Sequence, residues 1–189
     1  VLSHDLRNPL SVADGTAELA RTDPSPEHFD RLDAAHDRMA EIIDDMLTLA
    51  RSGEPVDDPA TVDLEAVATD AWSNVATESA ELHVAGTREL EADRQRLKQL
   101  FENLFRNSVE HGRTDGSELV RVRTGPTAAG FFVADDGPGI PTEEREAVFR
   151  SGVTSAPGGT GVGLSIVRTV VDGHGWEISV TESESGGAR

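Results

Sequence analysis

The stretch "DRQRLKQLFENLFRNSVEH" at residues 93–111 is the strongest helical pattern in the chain. Its apolar residues recur at helical spacing and predict a face that packs into a core: Leu100, Phe101 and Leu104. Asn103 and Asn107 lie four residues apart and share a different face. Amides on a core-packed helix suit a ligand, or a cation that prefers oxygen ligands such as Mg²⁺. The same spacing is also found on ordinary solvated helix faces.

Outward from this helix, the sequence alternates between helical and strand patterns. Further helices are predicted near 63–77 and 161–173. Short apolar runs predict four strands, at 81–86, 118–124, 130–135 and 176–182. Because strands and helices mix within about 130 residues, we expect a two-layer α/β sandwich.

The first 52 residues show a different pattern, that of a helical hairpin. Apolar residues recur at helical spacing on both sides of "TDPSPE" (22–27), which interrupts the helix. Ser25 followed by Pro26 is a typical N-cap and first-turn pair. A single hairpin buries little apolar surface, so two copies paired as a four-helix bundle are the simplest arrangement.

The segment "SGEPVDDPA" (52–60) has the composition of a linker. We therefore expect three parts: a dimerising hairpin at 1–52, a linker at 53–60 and an α/β domain at 61–189. The chain begins at Val1, inside a motif, so we also expect it to be the C-terminal part of a longer protein.

The charge of the chain is strongly negative. Lys and Arg number 17 against 35 Asp and Glu, which gives a net charge of −18, and Lys98 is the one lysine. Such a surface repels nucleic acid and anionic lipid, because both bind basic patches. The acidity together with the near-absence of lysine indicates adaptation to molar salt, where charges are screened, and a haloarchaeal source. An ordinary acidic protein is the alternative.

Cysteine is absent, which excludes disulfides and thiolate metal sites. No apolar run is long enough to span a membrane, and no signal peptide is visible. We expect no membrane contact by this stretch and a cytoplasmic location for it, while the location of the full-length protein is left open.

The stretch "SHDLRNPL" (3–10) places a histidine outside the apolar stripe of the first helix. Helical spacing directs His4 into solvent, with Asn8 on the same face and Asp5 at its flank. An exposed imidazole near pH 7 is a nucleophile, and Asp5 could orient it or act as its base. An exposed surface histidine without a role is the alternative.

Two glycine-rich stretches follow in the second domain. In "VADDGPGIP" (133–141) a strand ends at Asp135 beside Gly137 and Gly139, which fits either a tight turn or a carboxylate that binds a buried donor such as a base amino group. In "GGTGVGLSIV" (158–167) a glycine loop leads into a helix, an arrangement that presents free N–H groups to an anion. Its glycine spacing is neither that of a P-loop nor that of a dinucleotide fingerprint.

Taken together and in this order, these stretches resemble the sensor histidine kinases of two-component signalling. "SHDLRNPL" is similar to the H box, "NLFRNSVEH" to the N box, "DDGPGI" to the G1 box, "AVFRSG" (147–152) to the F box and "GTGVGLSIV" to the G2 box. The resemblance implies a HisKA-type phosphotransfer hairpin at 1–52 and an ATP-binding sandwich of the Bergerat (GHKL) type at 61–189.

The resemblance also implies roles for individual residues. His4 would be the phosphoacceptor, Asp5 its orienting base, and Asn8 a helper in dephosphorylating the regulator. Asp135 would bind adenine, Asn107 would hold Mg²⁺, and further residues would line the ATP site: Asn103, His111, Gly137, Gly139, Phe149, Gly159, Gly161, Gly163 and Leu164. Glu110 and Asp136 depart from the usual pattern, in which a basic residue and an asparagine stand at these places.

The implied function is ATP-dependent autophosphorylation on His4, followed by phosphoryl transfer to an aspartate of a response-regulator receiver domain. The implied partners are a second copy of the chain, that regulator and an N-terminal sensor domain in cis. The alternatives are a non-kinase GHKL ATPase and a catalytically silent module that dimerises and binds a regulator.

Overall fold

The computed structural model describes residues 2–50, 54–75, 79–112, 119–149 and 162–189. The chain divides into two compact units, residues 1–51 and 52–189. The first unit is a pair of packed helices, α1 (Leu2–Thr22) and α2 (Pro26–Ala50). The α hairpin expected from the sequence is therefore confirmed.

The turn between α1 and α2 follows the predicted capping pattern. The helix α2 begins at Pro26, and the Ser25 hydroxyl accepts a hydrogen bond from the His28 amide at 3.4 Å. The buried stripes are narrow, with Ala13, Thr16, Ala35 and Ile42 nearly inaccessible to solvent. Other apolar residues of the hairpin are about half exposed, namely Leu10, Val12, Leu19, Phe29, Ile43 and Leu47.

The described residues of the second unit form three helices and two small sheets. The helices are α3 (Leu64–Ser73), α4 (Arg94–His111) and α5 (Gly163–Gly173). Strand β4 (Val120–Pro126) is the middle of a three-stranded sheet, parallel to β2 (Ala80–Val84) and antiparallel to β5 (Phe131–Asp135). This arrangement of helices packed on a mixed sheet confirms the predicted α/β sandwich.

Two strands of the second unit were not predicted, β1 (Ala60–Asp63) and β3 (Glu89–Ala92). They pair antiparallel in a separate two-stranded sheet. Each has only four residues, and β3 alternates glutamates with apolar residues, so neither forms the longer apolar run that marks a strand. Segment 54–59 before β1 is held against α5, since the Val56 amide donates to the Gly173 carbonyl at 2.9 Å.

The prediction of a final strand over 176–182 is wrong for the described structure. Half-buried residues alternate with exposed ones through this segment, but its one β pairing with other described residues is an isolated bridge between Glu182 and Ala188. From Thr181 onward the chain turns back on itself and pairs with its own C-terminus. Alternation indicates which side chains face inward, but it does not supply a neighbouring strand to pair with.

The core of the second unit lies between α3, α4 and the inner face of the main sheet. Phe101 and Phe105 of α4 are fully buried and stack with centroids 5.4 Å apart. Phe101 also contacts Phe131 of β5, whose ring meets Trp176 edge-on. This chain of rings fixes α4 against the sheet, and α4 carries most of the polar residues considered next.

Candidate functional site

Helix α4 presents its two asparagines to the start of α5. Asn103 is 5% exposed, and its amide nitrogen donates to the Gln99 carbonyl at 3.0 Å. A Cβ on Gly163 would lie 3.0 Å from Asn103 Oδ1 and 3.7 Å from Asn107 Oδ1. The absence of a side chain at Gly163 therefore lets the first turn of α5 approach both amides.

Asn107 has an unusual environment. Its Nδ2 is buried and has no hydrogen-bond partner among the described residues. A buried polar atom without a partner costs on the order of 1–3 kcal/mol, so such atoms are uncommon unless something else binds them. The amide edge of Asn107 thus fits a site that a ligand completes.

The oxygen atoms of the same two amides belong to the ligand type that Mg²⁺ prefers. Among the described residues, no group of three or more histidine, aspartate or glutamate side chains is placed to hold a metal ion. Oxygen ligands would instead come from Asn103 Oδ1 and Asn107 Oδ1, both of which lie near Gly163. Mg²⁺ commonly takes few protein ligands and completes its shell with waters and substrate phosphates, so this small donor set is sufficient.

Asp135 lies where β5 ends, and three different segments bind its carboxylate. Oδ1 accepts from the amides of Gly137 and Ala188, each at 3.0 Å. Oδ2 accepts from the Ser108 hydroxyl of α4 at 3.1 Å. These three hydrogen bonds fix the orientation of the carboxylate, and Asp135 as a whole residue is half-buried.

The turn after Asp135 packs directly on the end of α4. A Cβ on Gly137 would lie 2.7 Å from Gly112 Cα, so the close approach requires glycine there. Gly139 has φ of 73°, a backbone conformation that glycine adopts without strain. Helix α4 therefore contacts both glycine-rich stretches. Its residues Asn103 and Asn107 face Gly163. Farther along the chain, Ser108 and the C-cap Gly112 face the turn after Asp135.

The remaining predicted site residues are less closely gathered. His111 is exposed in the last turn of α4, Leu164 is half-buried in the first turn of α5, and Phe149 is half-buried at the end of a described segment. Gly159 and Gly161 lie outside the described residues. His4 and Asp5 belong to α1, although their side chains are outside the described part of the structure, and Asn8 of α1 is exposed.

The two departures from the usual pattern, Asp136 and Glu110, differ in their surroundings. Asp136 accepts from the backbone amide of Arg121 at 2.8 Å and pairs with its guanidinium at 3.5 Å. Glu110 is exposed on α4. A hollow of about 760 Å³ is lined by Arg121, Arg123 and His83, and also by Asp135 and Asp136. Its lining residues include neither of the two asparagines of α4 nor Gly163.

Sequence reasoning missed the residues that hold Asp135 in place. Ser108 lies inside a stretch that was singled out, but its partner is 27 residues away, and no spacing rule connects them. The C-terminal residues Ser183, Gly187 and Ala188 were missed entirely. Glycine-rich sequences favour turns, and this is the one local signal that could have drawn attention to them.

Comparison with known proteins gives two family matches. Residues 92–189 match the profile of the histidine kinase-, DNA gyrase B- and HSP90-like ATPases, and residues 1–55 match the His Kinase A (phospho-acceptor) domain. Within the described part of the chain, no helix has the length and apolarity that crossing a membrane requires.

Similar individual proteins are sensor kinases. The probable sensor histidine kinase TcrY of Mycobacterium tuberculosis is 34% identical over 96% of this chain and 42% of its own length. The sensor histidine kinase CpxA of Escherichia coli is 30% identical over 100% of this chain and 44% of its own. The solved mycobacterial sensor histidine kinase MprB superposes with a TM-score of 0.58 at 28% identity, covering 69% of this chain and 92% of that one. The chain thus spans less than half the length of the two sequence relatives.

Proposed function

The chain belongs to the family of histidine kinase-, DNA gyrase B- and HSP90-like ATPases, and from that premise we propose that it is the core of a sensor histidine kinase. It would transfer the γ-phosphoryl group of ATP to His4 and then to an aspartate of a response regulator. The observation that carries the proposal is the convergence on α4, where Asn103 and Asn107 meet Gly163 and Ser108 meets Asp135. A phosphoacceptor-domain match at 1–55 favours a kinase over a non-kinase ATPase.

In the proposed site, Asp135 accepts a hydrogen bond from the adenine amino group. Asn103, Asn107 and Gly163 would lie toward the phosphates, and the proposal adds Gly159, Gly161 and Leu164 to the residues that bind them. Gly137 and Gly139 shape the turn beside the base, and His111 and Phe149 complete the boundary. Mg²⁺, held through Asn107, would neutralise charge that develops on the transferred group.

At His4, a ring nitrogen attacks the γ-phosphorus in line as the bond to the β,γ-bridging oxygen breaks, and ADP leaves. Asp5 is proposed to orient the imidazole and accept its proton. The protein's main contribution is to position the two reactants, since phosphoryl transfer requires little covalent help. Asn8 lies one helical turn from His4, where it would orient the water that dephosphorylates the regulator.

The proposed assembly is a homodimer through the hairpin, and the exposed apolar residues of α1 and α2 support it. Leu19, Phe29 and Leu47 each leave about half of their surface accessible in a single copy. Covering such residues with the same surface of a second copy would complete a four-helix bundle. Further proposed partners are a receiver domain and an N-terminal sensor domain in cis, with division into hairpin (1–52), linker (53–60) and catalytic domain (61–189).

We also propose that the protein is adapted to molar salt and comes from a haloarchaeon, and the net charge of −18 supports this.

Measurements of ATP affinity distinguish the roles of the two proposed domains. We expect His4→Gln to bind ATP with unchanged affinity, because the proposed ATP ligands lie in the second unit. Asp135→Asn should bind ATP at least about tenfold more weakly, because it loses a charge-assisted acceptor. Asp136→Asn is the matched control, since this carboxylate pairs with Arg121 instead. Equal ATP affinity in Asp135→Asn and wild type would contradict the proposed site.

A further inference from the structure

The carboxylate of Asp135 has almost no free hydrogen-bonding capacity. A carboxylate oxygen offers about two acceptor positions, so the amides of Gly137 and Ala188 fill those of Oδ1. The Ser108 hydroxyl takes one position on Oδ2. Counting the described residues, a single acceptor position remains, on Oδ2.

The donors that occupy the other acceptor positions of Asp135 come from distant parts of the chain. Ser108 belongs to α4 and is 6% exposed. Ala188 belongs to a C-terminal hairpin, residues 181–189, in which the amide and carbonyl of Thr181 pair with those of Arg189. The hairpin also binds the backbone of Asp135, which donates to the Ala188 carbonyl at 3.0 Å.

The hairpin packs tightly against Asp135. Ser183 is buried, and its hydroxyl donates to the Asp135 carbonyl at 2.7 Å. The same hydroxyl oxygen accepts from the Gly187 amide at 3.0 Å. A Cβ on Gly187 would collide with the carbonyl oxygen and Oδ1 of Asp135. The hairpin is therefore built around this aspartate.

We propose that Ser108 and the C-terminal hairpin are positioning residues that leave Asp135 one acceptor, on Oδ2, for the amino group of a 6-aminopurine. This inference rests on the proposed function, in which Asp135 reads adenine. The terminal torsion of an aspartate is soft, so an isolated carboxylate would rotate and admit water. Held by its three hydrogen bonds, the carboxylate of Asp135 presents one fixed acceptor to one N–H donor. Ser108 therefore contributes to the selection of the base without contacting the phosphates.

The test compares two nucleotides on the full 189-residue chain with Mg²⁺. The dissociation constants of ATP and of purine riboside 5′-triphosphate, which lacks the 6-amino group, are measured by calorimetry. We expect wild type to prefer ATP by about tenfold or more, the usual value of a hydrogen bond to a charged group. Ser108→Ala should reduce that preference by at least about threefold, through weaker ATP binding and with unchanged affinity for the analogue.

Three further variants distinguish loss of positioning from general damage to the fold. Thr124→Val also removes a buried hydroxyl, one that donates to the Phe132 carbonyl away from Asp135, and it should keep the wild-type preference. Gly187→Ala should reduce the preference as Ser108→Ala does, whereas Gly130→Ala, at a position with open space, should not.

The outcomes are distinct from those that test the proposed function. An unchanged preference in Ser108→Ala would overturn the inference, and so would an equal reduction in Thr124→Val. If wild type binds both nucleotides equally, Asp135 does not read the amino group and the inference fails, while ATP binding stands. If wild type binds neither nucleotide, the proposed function fails as well.

Discussion

Asn107 illustrates the tension between stability and function at the scale of a single residue. Its Nδ2 is buried without a partner among the described residues, whereas Asn103 on the same face donates to Gln99. The sequence predicted that both amides share a face, because helical geometry fixes positions four residues apart. It did not predict their burial, which depends on how closely α5 approaches at Gly163.

We predict that Asn107→Ala stabilises the protein or leaves its thermal midpoint unchanged. Alanine removes an unsatisfied polar atom and is also the better helix former. The same substitution should lower autophosphorylation by at least about 100-fold, the scale expected when a group that positions metal and phosphate is lost. Thermal unfolding and phosphate incorporation are measured on the same samples, with Gln95→Ala as an exposed control on α4. A large drop in midpoint with activity retained would contradict this account.

For Asp135, the sequence pattern identifies the residue itself but not the distant residues that bind its carboxylate. A strand that runs into a glycine turn indicated the residue, because that pattern is local. Its hydrogen bonds to Ser108 and Ala188 span 27 and 53 residues, and only the folded chain brings them together.

At the scale of elements, the helices were easier to predict than the strands. Helices α2 and α4 each repeat their apolar spacing over several turns, so their existence followed from periodicity. Strands β1 and β3 are four residues long and lacked such a signal. The segment 176–182 had the alternation of a strand, but its neighbour is the C-terminal hairpin, which pairs mainly with itself.

The start of α3 makes an element-scale prediction about pH. Asp63 is the N-cap of α3, where its carboxylate accepts from the Thr87 hydroxyl at 2.7 Å and from the Ala66 amide at 2.8 Å. The Thr87 hydroxyl and, after it, the Ala66 amide hold the pKa of Asp63 below its ordinary value of 3.8. The charged form is thus favoured in the folded state, so its stabilising effect is complete above pH 3.8 and disappears as the pH falls through the folded pKa.

We therefore expect Asp63→Asn to unfold at a lower temperature than wild type at neutral pH. The gap between the two should close as the pH is lowered below 3.8. Thermal melts at constant molar KCl measure this gap, and Asp58→Asn controls for the loss of one negative charge on an exposed segment. A gap that stays constant down to the lowest pH would show that the charge of Asp63 has no part in capping α3.

At the scale of the whole molecule, the main feature is the large excess of negative charge. Several of the described basic residues of the second unit form ion pairs at the surface, such as Arg94 with Asp70 and Arg168 with Asp172. Lys98 lies between Asp70 and Glu102. Exposed pairs contribute little each, so they do not offset a net charge of −18.

Salt should therefore stabilise this protein. The Debye length falls from about 10 Å at 0.1 M to about 3 Å at 1 M, so self-repulsion is screened much more than contacts within ion pairs. We predict that the thermal midpoint and the affinity for ATP both rise as KCl goes from 0.1 M to molar concentration. An uncharged osmolyte serves as control for excluded-solute effects. A midpoint that stays flat or falls with KCl would contradict adaptation to salt and leave the kinase proposal intact.

The central claim is that His4 receives the phosphoryl group, and its most direct measurement is the chemical nature of the labelled product. The chain is incubated with Mg²⁺ and ATP labelled in the γ-phosphate, and the protein is then exposed to acid and to base. We predict a phosphate lost in acid and stable in base, as a phosphorus–nitrogen bond requires. It should map to His4, be absent from His4→Gln and persist in His36→Gln, which removes an exposed histidine of α2. An acid-stable phosphate, or label that persists in His4→Gln, would contradict the claim.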